Sequence, residues 1–268
     1  MAIHPSNPRT DIGLRRTLFL SLKESGKIIR SGFGTSFKIR KKGPINLVTE
    51  IDMRAENKIV TMIKRNFPSH RILTEESKPY GGDSPFRWIV DPLDGTTNFA
   101  HGIPLCCVSI GLEYEGEIIL GGVYNSLLGE LFFAEKGKGS FLNGKRIQVS
   151  VTKKLNDSLI VTGFPYDRQE KAEYYLKYFK KALEHTQGIR RLGAAALDLA
   201  YVACGRFDAF WEFSLKPWDI AAGALIVREA GGTVSDFKGN PLKIDQPFEL
   251  LASNKIIHPK LREIMREA

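Results

Sequence analysis

Cysteine is scarce: three occur in 268 residues, Cys106, Cys107 and Cys204. The first two are adjacent, so on a strand they point to opposite faces, and no C-x-x-C spacing occurs. That argues against a zinc site or a redox pair and leaves buried thiols in a reducing cytoplasm as the expectation. Long apolar runs are also missing, so no membrane span is expected, and the N-terminus lacks the apolar stretch of a signal peptide. The sequon Asn156-Asp157-Ser158 is then unused, because an intracellular chain does not meet the glycosylation machinery. Internal repeats and low-complexity segments are absent.

Acidic residues are outnumbered, 30 against 39 basic ones, for a formal net charge of +9. Such an excess serves solubility or attracts anionic ligands. The densest basic run, Lys38, Arg40, Lys41 and Lys42, lacks the interleaved aromatics of a nucleic-acid platform. A solvated loop near an anion site is expected there, and a nucleic-acid partner is not.

What is present suits a folded globular chain: 43% hydrophobic and 26% charged residues, in a length that buries a sizeable core unaided. Residues 1–10 read as a loose tail. Leu14, Leu18 and Leu22 recur at helical spacing toward Ile29. Pro44 opens an extended run, Ile45 to Thr49, followed by a helix with Ile51, Ala55, Ile59 and Ile63 on one face, which Pro68 stops. From Arg71 to Phe133 short apolar runs joined by turns predict an antiparallel sheet. Beyond residue 158 strands alternate with helices over 172–183, 194–203 and 220–230, an α/β rhythm. The reading is an N-terminal α+β half, 1–150, and a C-terminal α/β half, 151–268.

Gly139 to Lys145 reads G-x-x-x-x-G-K, the start of a P-loop, but Arg146 stands where the magnesium-binding hydroxyl belongs. Asn143-Gly144 predicts a hairpin turn instead.

The informative segment is W-I-V-D-P-L-D-G-T-T-N, Trp88 to Asn98. An apolar strand leads to Asp91, Pro92 breaks the ladder and turns the chain, and Asp94 follows three residues later. Both carboxylates can face one point, and hard oxygen donors suit magnesium. Gly95 permits close backbone approach, and Thr96-Thr97 suit a helix first turn whose N–H groups favour phosphate. Three more acidic clusters sit in similar contexts: L-V-T-E-I-D at 47–52, T-E-E-S at 74–77, and Trp218-Asp219 before an apolar helix. Singly, each reads as a cap or a solvated acid.

Together these motifs resemble the inositol monophosphatase family, within the lithium-sensitive phosphatase superfamily. Asp91–Thr97 is similar to its first signature. Trp218 to Gly223, with Glu229-Ala230-Gly231-Gly232, is similar to its second. The resemblance covers roughly residues 11–265 and implies a layered α-β-α-β-α sandwich and a homodimer. It implies two or three Mg2+ ions held by Glu75, Asp91, the Leu93 carbonyl, Asp94 and Asp219. Asp52 and Thr96 would position the attacking water, with Glu75 holding the metal that activates it. Gly95 and Thr96 would offer N–H groups to the phosphate, with Asp94 beside them, and Ala195 and Glu212 would touch the substrate's hydroxyl-bearing ring. The expected reaction is hydrolysis of a small polyol phosphate, inositol 1-phosphate first. Fructose 1,6-bisphosphate is the runner-up, with Arg190 or Arg191 on its distal phosphate, and phosphoadenosine phosphate trails for want of an adenine platform. A basic, RNA-associated regulator on the same scaffold is the alternative from another class. No cysteine, histidine or serine has the partners of a covalent nucleophile, His101 included, so direct attack by water is expected.

Overall fold

A computed structural model describes residues 8–266 apart from 42, 44, 45 and 246–248, with side chains from residue 12 onward. In chain order the elements are α1 (Pro8–Gly32), β1 (Ile39–Lys41), β2 (Leu47–Thr49), α2 (Glu50–Asn66), β3 (Arg71–Thr74), β4 (Phe86–Asp94) and α3 (Thr96–Ala100). Next come β5 (Cys107–Tyr114), β6 (Glu117–Asn125), β7 (Glu130–Glu135), β8 (Gly139–Leu142), β9 (Lys145–Ile147) and β10 (Leu159–Thr162). The chain ends with α4 (Ala172–His185), β11 (Gly188–Arg190), α5 (Ala195–Ala203), β12 (Ala209–Phe213), α6 (Pro217–Glu229), β13 (Thr233–Ser235), β14 (Glu249–Ser253) and α7 (His258–Arg266).

The layers are α-β-α-β-α, as the resemblance implies. Helices α1 and α2 bury Leu14, Leu18, Leu22, Ile51, Ile59 and Ile63 against one face of a seven-stranded sheet, β3 to β9 in sequence order. Helices α5 and α6 fill the space between that sheet and a five-stranded one ordered β11-β10-β12-β14-β13. Helices α4 and α7 cover the outer face of the second sheet. Among the described residues no helix is long and apolar enough to cross a membrane.

Gly111 on β5 and Gly121 on β6 let α6 lie against the first sheet, since a Cβ at either would stand 2.9 Å from Ala221 or Ala222. That close approach fixes where the first turn of α6 projects.

Several expectations change. The tail reading of 1–10 is partly overturned, because α1 is already helical from Pro8; residues 1–7 lie outside the described residues. Pro44, Ile45 and Lys42 do too, and only Leu47–Thr49 of the expected run is a strand. Arg40 and Lys41 of the basic run lie on the exposed β1, antiparallel to β2. Pro92 does not turn the chain out of the sheet. Strand β4 continues to Asp94 through a bulge, with Asp91 opposite Ser109 and Asp94 opposite Cys107. An extra residue accommodates the missing proline donor at such a bulge. The P-loop decoy is the β8–β9 hairpin, with positive φ at Asn143 (49°) and Gly144 (79°).

The first sheet is not wholly antiparallel, because β3 pairs parallel with β4, Thr74 beside Val90. This matters for function. Parallel pairing brings the C-terminal ends of β3 and β4 to the same edge, so Glu75 emerges next to Asp91.

Candidate active site

A cavity of about 600 Å³ opens at that edge. Glu75, Asp91, Leu93, Asp94, Gly95, Thr96, Ala195, Glu212 and Asp219 all line it. Of the candidates for the metals, the water and the substrate ring, Asp52 is absent from the wall, and it touches the wall through Thr96.

Asp91 and Asp94 are set by the bulge. The Asp91 Oδ1 accepts the Leu93 N–H at 3.0 Å. The Asp94 Oδ2 accepts the Ala196 N–H at 2.8 Å, tying β4 to the first turn of α5; the Cys107 thiol lies 3.7 Å from the same oxygen. Gly95 follows in the left-handed region, φ 84°. A Cβ there would meet the Leu105 carbonyl at 2.8 Å, so both conformation and space require glycine. Helix α3 starts at Thr96.

Asp52 serves two ends. Its Oδ2 accepts the Thr49 N–H at 2.9 Å, closing the capping box of α2. Its Oδ1 accepts from the Thr96 hydroxyl at 3.0 Å. It is a helix-cap acid, as its local sequence suggests, and also a neighbour of the cavity. Asp219 lies in the first turn of α6, which begins at Pro217 and not at Ile220. Its Oδ2 accepts the Lys216 N–H at 2.6 Å.

The electrostatics are those of packed acids. Asp91 titrates well above the usual carboxylate range because it is buried and faces Glu75, Asp94 and Asp219. Asp219 is raised likewise, by burial and by Asp94, Glu75 and Glu212, against the opposing Lys216 N–H. Burial lifts Asp94 to about 7, although the Ala196 N–H opposes the rise. Glu212 reaches about 8 through burial, offset in part by Arg191. No ion pair joins Asp91, Asp94 or Asp219 to a cation among the described residues.

The donors are all oxygens, which fits a hard divalent cation. Among the described residues no three acidic, histidine or cysteine side chains already close into a cage around one point; the carboxylates line the walls. Magnesium suits such an arrangement, because it keeps several waters and takes few protein ligands.

Some lining residues were not foreseen. Lys41, Tyr166, Arg168 and Lys216 reach the cavity; of these, only Lys41 had a sequence signal, in the basic run. Arg191 lines it, whereas the exposed Arg190 turns its guanidinium to its neighbour's carbonyl, the Ile189 oxygen, at 3.0 Å. Glu56, buried on α2, accepts the Glu76 N–H at 2.9 Å and so fixes the segment after Glu75. Asp198, buried on α5, has neither carboxylate oxygen partnered among the described residues. Burial, then Glu212 and Asp94, hold its pKa well above normal. Asn98 donates to the Leu105 and Leu192 carbonyls at 2.8 and 2.7 Å, joining the first-signature loop to the entry of α5.

The layered sandwich and this acid-lined cavity define a phosphoric monoester hydrolase once kinship is added. The family model for the inositol monophosphatase family matches residues 14–268, and the chain belongs to that family. It is 48% identical over 243 residues to an inositol-1-monophosphatase of Synechocystis sp., covering 90% of this chain and 84% of the relative. It is 47% identical over 207 residues to the Nus factor SuhB of Pseudomonas aeruginosa, covering 75% and 76%. The crystal structure of the extragenic suppressor protein suhB from Bartonella henselae superposes with a TM-score of 0.90 at 41% identity, covering 95% of this chain and 99% of that one.

Proposed function

We propose that the cavity hydrolyses a small polyol phosphate, with inositol 1-phosphate preferred, on Mg2+ held by Glu75, Asp91, Asp94, Asp219 and the Leu93 carbonyl. The observation that carries this is the convergence of four acids from β3, β4 and α6 on one cavity that also holds Glu212. Bound magnesium supplies Lewis-acid stabilisation of the phosphate's charge and acidifies the attacking water.

The chain's own residues position and orient. Gly95 and Thr96 present N–H groups at the start of α3 to the phosphate. Thr96 gives its single hydroxyl proton to Asp52, which leaves its oxygen lone pairs to accept a proton of the attacking water. Glu212 is the hydrogen-bonding group for substrate hydroxyls, and Ala195 forms the wall beside it. A Cβ at Gly163 would overlap the Glu212 carboxylate at 2.1 Å, so glycine there keeps that carboxylate's place. Cysteine offers no covalent route: burial keeps Cys107, beside Asp94, a thiol with its pKa well above the ordinary value. Water therefore attacks directly, with inversion at phosphorus. Homodimeric assembly and a cytoplasmic setting follow from the same kinship and belong to the proposal.

A panel of inositol 1-phosphate, fructose 1,6-bisphosphate and phosphoadenosine phosphate with magnesium tests the substrate. The account expects the highest kcat/KM for the first, and Glu212→Gln should change discrimination among the three more than the magnesium requirement. A higher kcat/KM for the bisphosphate would shift the assignment to the runner-up, which Arg191 on the cavity wall favours. An RNA-associated role has two supports, the +9 charge and the SuhB relatives. Filter binding that weakens steeply with salt would support it.

A further inference from the structure

A second cavity, of about 780 Å³, lies at the other end of the first sheet. Its walls are the starts of β3 and β4, the β5–β6 hairpin, the last turn of α6 and the segment after β13. Two elements run between the cavities. Strand β4 begins with Arg87 at this one and reaches Asp91 at the other. Helix α6 carries Asp219 in its first turn and Arg228 in its last, roughly 13 Å of helical rise apart.

The charges here do not balance locally. The acids on the wall are already engaged. Glu113 takes Arg87 at 2.5 Å and Arg71 at 3.9 Å. Asp245 takes Arg87 at 2.9 Å, and Glu117 takes Lys136. Glu229 accepts the N–H groups of Gly137 and Gly139, both at 2.8 Å. Arg228 and Lys243 remain, with no ion pair among the described residues. Arg71 is only half matched, since its Nε is buried without an acceptor and its acid is shared.

Arg228 is the telling group. Its side chain is exposed toward the cavity, and partial burial is the one cause that pushes its pKa below the ordinary value, with no acid to offset it. Arg87 is the contrast: burial works against its charge too, but Glu113 and Asp245 outweigh that and raise its pKa. Open to the cavity and without an acid partner among the described residues, the Arg228 guanidinium is available to an anion beside Leu225 and Leu242.

We propose that this cavity is a second anion site, which takes an organic phosphate with its head on Arg228, Lys243 and Arg71 and its body on Leu225 and Leu242. Guanidinium groups match phosphate oxygens in a bidentate fashion. The volume is that of a small-molecule site, not of a single ion.

The probe is phenylphosphonate, which cannot be hydrolysed and pairs a dianionic head with an apolar body. It is titrated calorimetrically into the full chain after chelation of divalent ions. Chelation removes the cations that would hold the probe in the catalytic cavity, and Lys41→Gln reports any binding that remains there. The account expects one saturable site per chain with a Kd below about 1 mM. Arg228→Gln should weaken it at least tenfold. Arg228→Lys, which keeps the charge and loses the bidentate fork, should weaken it less than Arg228→Gln does. Lys41→Gln in the catalytic cavity should leave it unchanged. Circular dichroism of each variant checks the fold. No saturable binding, equal affinity in Arg228→Gln, or loss in Lys41→Gln would overturn the proposal.

Discussion

The Thr96 hydroxyl has one proton and two acceptors, the Asp52 carboxylate and the Leu93 carbonyl, each 3.0 Å away. The charged acceptor forms the stronger bond, and the Leu93 oxygen is then left for a cation. Thr96→Ala removes this arrangement. Asp52→Asn keeps the shape but not the charge. Either change should lower kcat by ~10²–10⁴-fold with a much smaller change in KM, since it removes proton positioning and not phosphate binding. Asp52→Asn should also cost about 1 kcal/mol of stability through the weakened cap of α2, visible as a shifted urea midpoint. A KM effect exceeding the kcat effect would place Thr96 in binding instead. At this scale the sequence is partly legible. Asp91 and Asp94 stand out because a strand, a proline and a D-G step leave little else for them to do. Glu56 does not, because a glutamate beside Ala55 on an amphipathic helix reads as solvated, and its burial depends on the Glu76 N–H twenty residues away. Asp198 is hidden for another reason: α5 is buried on every side, so no periodicity marks its acid apart from the apolar residues around it.

Elements matter through the edge at which they end. The parallel pairing of β3 with β4 places Glu75 beside Asp91; antiparallel pairing would have put it at the far end of the sheet. Composition gives no hint of this, because short strands look alike in either direction and the crossover 75–85 has no helical pattern. Helices α1 and α2 were legible for the opposite reason, with apolar residues at i, i+4 over several turns. The exposed strand β1 was not, since Lys and Arg dominate it. The link between the first-signature loop and the entry of α5 runs through Asn98, whose amide holds two part-buried carbonyls. Asn98→Ala strands both, so a loss of about 2 kcal/mol is expected, measured by urea denaturation. The entry to α5 should loosen with it. A change below a few tenths of a kcal/mol would show that water replaces the amide at no cost.

For the whole molecule the acid-lined cavity makes stability depend on pH. Asp94 at about 7 and Glu212 at about 8 bind protons more tightly folded than unfolded. Their stabilisation is full below the unfolded carboxylate pKa and is lost as pH rises through 7 to 8. Asp91, Asp198 and Asp219 act with the same sign. His258, buried between Ser235 and Ser253 and lowered to about 4, opposes them, but its effect is confined to pH below the ordinary histidine value. The chelated protein should therefore lose thermal stability steadily between about pH 6.5 and 8.5. Excess magnesium should flatten or reverse that slope, because a bound cation favours the ionised acids. A melting temperature that rises over this range in the chelated protein would contradict the electrostatic account.

All of this rests on the acids serving a cation that works on a phosphate. The most direct measurement is the initial rate of phosphate release from inositol 1-phosphate, first after exhaustive chelation and then as magnesium is added back, for the wild-type chain and for Asp91→Asn. The account predicts no turnover without the metal, saturable recovery in the wild type, and a rate near background in Asp91→Asn at every magnesium concentration. Undiminished turnover in the chelated enzyme, or wild-type rates from Asp91→Asn, would contradict it.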